Sequence, residues 1–299
     1  MSTKAAKHGS GSVGDYASRI GFMQGRMSAP VDGRIQAFPW SSWQEEFLLA
    51  QKNDFHLMEW TLDQDHLYEN PLLTPSGQDE ICGLIQRYAV NVPSLTGDCF
   101  MQAPFWKARG VDYELLTRDF LAVAAACAKA GISMVVVPLV DNGRLQTLMQ
   151  EDVLVEFLRS KKIHLNRLGL RVLFECDLEP MRLRQFVERF DAETFGINYD
   201  IGNSAALGFD PMEEIAAYGH RIFNVHVKDR KLGGTTVPLG TGAAAFRSAF
   251  AALKRVGYSG NFILQTARAS DNDHVGALCR YRDMTNNWLR STEAGEFAA

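Results

Sequence analysis

Cysteine is scarce in this chain: five residues out of 299, at positions 82, 99, 127, 176 and 279, an odd number with no C-x-x-C pair. That argues against a disulfide framework and against a thiolate zinc site. No apolar run approaches the ~18–20 residues of a membrane span. An excess of one charge is lacking too: 31 Lys and Arg stand against 35 Asp and Glu, a net −4. This balance leaves no electrostatic footprint for nucleic acid or an anionic membrane. The opening MSTKAAKHGSGSVGDYA has no apolar core of the signal-peptide kind. A soluble, reduced, cytoplasmic protein is the expectation.

What is present is ordinary globular material, 46% hydrophobic and 22% charged, which excludes a disordered or collagenous chain. The length suggests two domains at ~100–200 residues each, but a single α/β barrel also reaches this size. Residues 1–17 are small and polar and read as a flexible tail, and 291–299 as a second one. Gly9, Gly11 and Gly14 match G-x-G-x-x-G, yet no strand precedes them and no apolar helix follows, so the dinucleotide reading fails.

From residue 18 to 290, short apolar runs alternate with longer helical-period segments. The expected strands are 19–23, 56–60, 91–95, 133–138, 171–175, 195–200, 222–227 and 261–265. Amphipathic stretches include 113–130, 151–168, 179–190, 211–218 and 246–256. Asp210-Pro211 reads as a helix cap with a first-turn proline, and Gly131 and Gly257 as helix stops. Runs such as MVVVP and RVLFE suit strands buried on both faces. Eight strand–helix repeats without a linker predict one (β/α)8 TIM barrel.

Barrel enzymes carry their reactive groups at the C-terminal ends of the strands. Here the fifth run ends in Glu175, the sixth in Asp200 and the eighth in Gln265; the seventh carries His226. Oxygen and imidazole donors at one height on four successive strands point to a divalent-metal site suited to Mn²⁺, Mg²⁺, Co²⁺ or Zn²⁺, with Mn²⁺ the first choice. Singly, each has a plainer reading: a strand-end carboxylate often caps the next helix, and a lone His in an apolar strand is often a satisfied core residue. Their coincidence favours the metal.

The FE at Glu175, the D-I-G-N of 200–203, the H-V-K-D of 226–229 and the L-G-T-G of 239–242 resemble the xylose-isomerase-like barrel superfamily. MQGRM at 23–27, MEWTLD at 58–63 and SLTGDCFMQAPF at 94–105 look like its sugar-phosphate isomerases and epimerases. The resemblance implies that Glu175, Asp200 and His226 bind one metal, with the eighth-strand residue as a fourth ligand. Where that family has Glu, this chain has Gln265. An amide oxygen still coordinates but takes no proton at pH 7, which weakens metal binding and removes one base of a two-glutamate epimerisation. Asn203 stands where many epimerase relatives carry His; it can donate to a substrate oxygen without becoming cationic, or be a simple turn residue.

The chemistry expected is proton abstraction next to a carbonyl through an enediolate, with Glu175 as base and Glu59 as a candidate second group. Lys228, Asp229, Arg230 and Arg268, with the Gly240-x-Gly242 loop and Arg26, could receive a phosphorylated or acidic sugar, and Asp98 ends the third strand. Trp60, Phe100, Phe105 and Trp106 could wall a sugar ring or belong to the core. The substrate is then a small sugar or sugar phosphate; relatives often form homo-oligomers. A lyase or dehydratase on the same enediolate logic and a weakly catalytic carbohydrate binder are the alternatives. The family's apurinic-site endonuclease branch needs several further histidines, which the remaining ones (8, 56, 66, 164, 220, 274) do not supply at strand ends.

Overall fold

The computed structural model describes residues 16–292; the tails expected at 1–17 and 291–299, and the glycines at 9, 11 and 14, lie wholly or mostly outside them. Eight parallel strands close into a barrel: β1 (Ile20–Met23), β2 (Leu57–Thr61), β3 (Asn91–Thr96), β4 (Met134–Leu139), β5 (Arg171–Cys176), β6 (Phe195–Asp200), β7 (Ile222–Val227) and, after a small antiparallel hairpin of β8 (Asp229–Arg230) and β9 (Thr236–Val237), β10 (Asn261–Leu264). The order around the barrel is β1-β10-β7-β6-β5-β4-β3-β2. Each expected strand is found, shifted by at most a residue or so at its ends. No helix among the described residues is long and apolar enough to cross a membrane.

The helices outside are α1 (Trp43–Lys52), α2 (Pro75–Tyr88), α3 (Asp98–Gln102), α4 (Gly110–Lys129), α5 (Leu148–Arg167), α6 (Pro180–Val187), α7 (Ile201–Leu207), α8 (Pro211–Tyr218), α9 (Phe246–Arg255) and α10 (His274–Ser291). Asp210 caps α8 by accepting from the Met212 N–H, with Pro211 in the first turn, as the sequence signals. Gly131 and Gly257 follow α4 and α9 at positive φ (77° and 72°), where a side chain would be strained.

The main core fills the annulus between strands and helices. Phe174 of β5 points out into it, packing on Phe186, Phe190 and Phe195 with ring centroids 5.1, 4.9 and 6.4 Å apart. The period of two then sends its neighbours Leu173 and Glu175 inward. The barrel lumen is divided: Met134, Val136 and Leu173 form a small apolar cluster, while Glu59, Ser94, Asn198, Asn224 and His226, each at most 1% exposed, form a polar layer.

Candidate functional site

The polar layer is built by alternation. Tyr199 and Val225 face outward, so Asn198 and Asp200 of β6 and Asn224 and His226 of β7 face inward, with Asp200 opposite His226 in register. Glu175, Asp200 and His226 each offer a ligand atom, and these lie within 4.8 Å of one another. One cation can bridge that spacing.

Each member is oriented by its neighbours. His226 Nε2 donates to Glu59 Oε1 (2.7 Å), while Nδ1 faces Glu175 Oε2 and the Asn198 amide nitrogen, both at 3.0 Å. Glu175 also accepts from Asn198 at Oε2 (2.9 Å) and from Asn203 Nδ2 at Oε1 (2.7 Å). Asp200 has two roles: Oδ1 caps α7 by accepting from the Asn203 N–H (2.8 Å), and Oδ2 accepts from Lys228 Nζ (3.1 Å). Gly202, the glycine of D-I-G-N, lets α7 approach that lysine, since a Cβ there would stand 2.7 Å from Lys228 Cγ and 2.8 Å from its carbonyl.

Charge coupling sets the protonation. Burial alone would lower the His226 imidazole, but the Glu59 and Glu175 carboxylates outweigh it and hold it up, at about 10. Burial would raise Glu59 and Glu175; His226 overcomes this and keeps both below the ordinary carboxylate range. Asp200 goes the other way: its burial prevails over Lys228 and raises its carboxyl.

A cavity of about 620 Å³ opens over this group, lined among others by Gln36, Asp98, Arg144, Glu175, Asp177, Asn203, Lys228, Arg230 and Gln265. Of the residues the sequence singles out, Glu175, Asp98, Asn203, Lys228, Arg230 and Gln265 therefore meet at one mouth, with Asp200 and His226 beneath. Gln265 is turned toward the lysine: its Oε1 accepts from Lys228 Nζ (3.1 Å) and its Nε2 donates to Gln36 (2.9 Å).

Other expectations are corrected. Glu59 is fully buried, and besides His226 it accepts from Ser94 (2.6 Å), Thr96 (2.5 Å) and Asn224 (3.0 Å). It has no free lone pair to offer a substrate; it holds the histidine. Asp229 is also fully buried, accepting from the N–H groups of Gly240 (2.9 Å), Gly242 (2.8 Å) and Ala244 (3.1 Å). The L-G-T-G loop thus wraps an internal carboxylate and spends its amides there, not on an external anion. Asp229→Asn should cost about 1–3 kcal/mol, read as a lower urea midpoint, because a buried charged acceptor is lost to three part-buried amides.

Arg268 is spent on the carbonyls of Ile35 (3.0 Å), Gly25 and Ser28 (2.7 Å), and Arg26 on Ile35 and Gln36. Both clamp the loop after β1, and neither lines the cavity. The aromatics Trp60, Phe100, Phe105 and Trp106 are at most 4% exposed and belong to the core. Arg144, which the sequence did not mark, lies at the rim paired with Asp177. Asn198 and Asn224 were missed as well, although each lies two residues before a predicted ligand and so on the same strand face.

A family model described as a xylose isomerase-like TIM barrel matches residues 47–290. Among curated proteins, the L-ribulose-5-phosphate 3-epimerase UlaE of Salmonella paratyphi C (strain RKS4594) is 34% identical over 101 residues, 33% of this chain and 34% of that protein. The alignment thus spans about a third of the relative's length. Among solved structures, an L-ribulose 3-epimerase superposes with a TM-score of 0.72 at 15% identity, covering 93% of this chain and 96% of the other. The IOLI protein with a bound zinc atom gives 0.70 at 16% identity, covering 94% and 100%. At these identities the likeness is one of fold.

Proposed function

The chain belongs to the xylose isomerase-like TIM-barrel family, and from that membership we propose that it is a divalent-metal-dependent isomerase or epimerase of a small sugar or sugar phosphate. The carrying observation is the convergence of Glu175, Asp200 and His226 under a cavity large enough for such a substrate. Their donor set fits a cation of mixed oxygen and nitrogen preference, Mn²⁺ first and Mg²⁺, Co²⁺ or Zn²⁺ of the same class. The fit extends outward: Glu59 accepts a hydrogen bond from the Nε2–H of His226, the carboxylate–histidine arrangement that aims the other ring nitrogen at a metal. When bound, the cation would polarise a substrate carbonyl and acidify the neighbouring C–H.

The chain's own groups supply the rest. Glu175 lines the cavity and serves as the base, its low proton affinity maintained by His226 and its lone pairs aligned by Asn198 and Asn203. Lys228 has three protons and gives two to Asp200 and Gln265; the third is available to a substrate oxygen. The enolate charge that develops when the proton leaves is met by that ammonium. Arg144, paired with Asp177, and Arg230, which donates to the Gly234 carbonyl (3.0 and 2.7 Å) and to Asn203 Oδ1 (2.9 Å), also line the cavity, and an acidic or phosphorylated end would compete with those partners for them.

The test is incubation with Mn²⁺ and a panel of ketoses and ketose phosphates in D₂O. Deuterium in a recovered sugar is expected; a panel returned with all its protium overturns the reading. Gln265→Glu adds a third carboxylate beside Asp200 and should tighten Mn²⁺ binding about tenfold by calorimetric titration. An unchanged affinity would put the residue after β10 outside the coordination.

A further inference from the structure

We propose that Asp98 is the second proton-transfer group of this site, working from a different wall of the cavity than Glu175; the assignment rests on the reading of the reaction as proton transfer next to a carbonyl. The need for one is set by the two residues that cannot serve. Glu59 is buried and saturated by four donors, and Gln265 is an amide that neither accepts nor releases a proton at neutral pH.

Among the described residues, four carboxylates line the cavity: Asp98, Asp141, Glu175 and Asp177. Asp177 is paired with Arg144, and Asp141 sits exposed at the rim. Asp98 is 6% exposed and accepts at Oδ2 from Gln36 Nε2 (2.5 Å), with no donor on Oδ1 among the described residues. Gln36 is itself fixed, its Oε1 accepting from Gln265 (2.9 Å) and Arg26 (3.1 Å). The carboxyl is therefore anchored by one oxygen and offers the other to the cavity. Around the barrel β3 and β5 are separated by β4 alone, so Asp98 and Glu175 address the mouth from walls about a quarter-turn apart, with Lys228, after β7, on the side opposite Asp98. Burial, reinforced by Asp63 and Glu175, brings Asp98 up to about 7, so acid and base forms coexist near neutrality.

In the step, the Glu175 carboxylate takes the proton from the carbon beside the carbonyl, and the C–H electron pair becomes the enolate C=C as the carbonyl oxygen takes the charge. Protonated Asp98 then delivers its proton to the other face of that carbon as the carbonyl reforms. Glu175 ends as the acid and Asp98 as the carboxylate, and exchange with water resets both. In the reverse direction the roles swap.

Asp98→Asn preserves volume and the Gln36 contact from its retained carbonyl oxygen. With Mn²⁺ in D₂O, and L-ribulose, L-ribulose 5-phosphate and D-tagatose as probes, the wild type should give the epimer carrying one deuterium at the inverted carbon. The variant should still exchange that hydrogen of the substrate through Glu175, while epimer formation falls about 100-fold or more. Epimer formation at the wild-type rate overturns the assignment. So does loss of exchange together with inversion, which would make Asp98 a binding or structural residue. A wild type that incorporates no deuterium from any probe instead overturns the proton-transfer reading, and Asp98's role with it.

Discussion

Glu175→Gln is expected to lower kcat by roughly 10²–10⁴, the size of a lost general base. The amide oxygen can still coordinate, and the substituted side chain occupies the same volume, so Mn²⁺ should remain bound with reduced affinity. The pairing of those results is what identifies the base. Asp200→Ala and His226→Ala, by contrast, should remove metal and turnover together. The amide nitrogen that Glu175→Gln introduces would face either Asn198 or Asn203, both of which now donate to the carboxylate at 2.9 and 2.7 Å. One of them must turn, a local cost of about 1–3 kcal/mol for an unpaired buried polar group. Single-turnover rates in D₂O and titration of Mn²⁺ into the variant separate chemistry from binding. Turnover surviving in Glu175→Gln would transfer the base's role to another residue.

The second large effect is expected at a residue that never meets the substrate. Glu59 is the acceptor for Ser94, Thr96, Asn224 and His226 in a zone without solvent. Removing it in Glu59→Ala takes from a buried imidazolium one of its two carboxylate partners, and takes an acceptor from Ser94, Thr96 and Asn224. Loss of one partner of such a buried pair costs about 3–5 kcal/mol. Urea unfolding should show this as a lowered midpoint. Glu59→Gln keeps the volume but places an NH₂ among donors, so His226 loses its orientation. Metal affinity should fall by roughly 10–100-fold, as when the outer hydrogen-bond partner of a ligand is changed. At saturating Mn²⁺ the KM for substrate should then stay close to the wild-type value. A raised KM under those conditions would mean that Glu59 touches the substrate after all.

The barrel was legible because strands buried on both faces read as unbroken apolar runs, and because the polar residue ending each run marks its C-terminal end. Glu175, Asp200 and His226 could be read for that reason. What stayed hidden depends on which face a side chain takes. EWT at 59–61 reads equally well as a solvated turn or as an inward strand, and register with β3, pairing Glu59 with Ser94, decides it. Asp229 and Arg268 look like part of an anion-binding cluster in sequence, yet the fold makes one the anchor of the loop at 240–244 and the other the clamp of the loop after β1. Charge alone cannot distinguish a group that awaits a ligand from one already satisfied by backbone. Helices α1, α2, α3, α7 and α10 do not stand out by their periodicity.

The hydrogen-bonded lumen also bears on how specificity could diverge on this scaffold. Arg144 and Arg230 sit beyond the ends of the barrel strands, outside the lumen layer. Glu59, Ser94, Asn198, Asn224 and His226 come from four different strands, and each satisfies another. Grafting any one of them into an aliphatic lumen would strand a charge or a donor, so they must be inherited together. New substrates would then be acquired through the rim, while the layer beneath passes between descendants as an indivisible set.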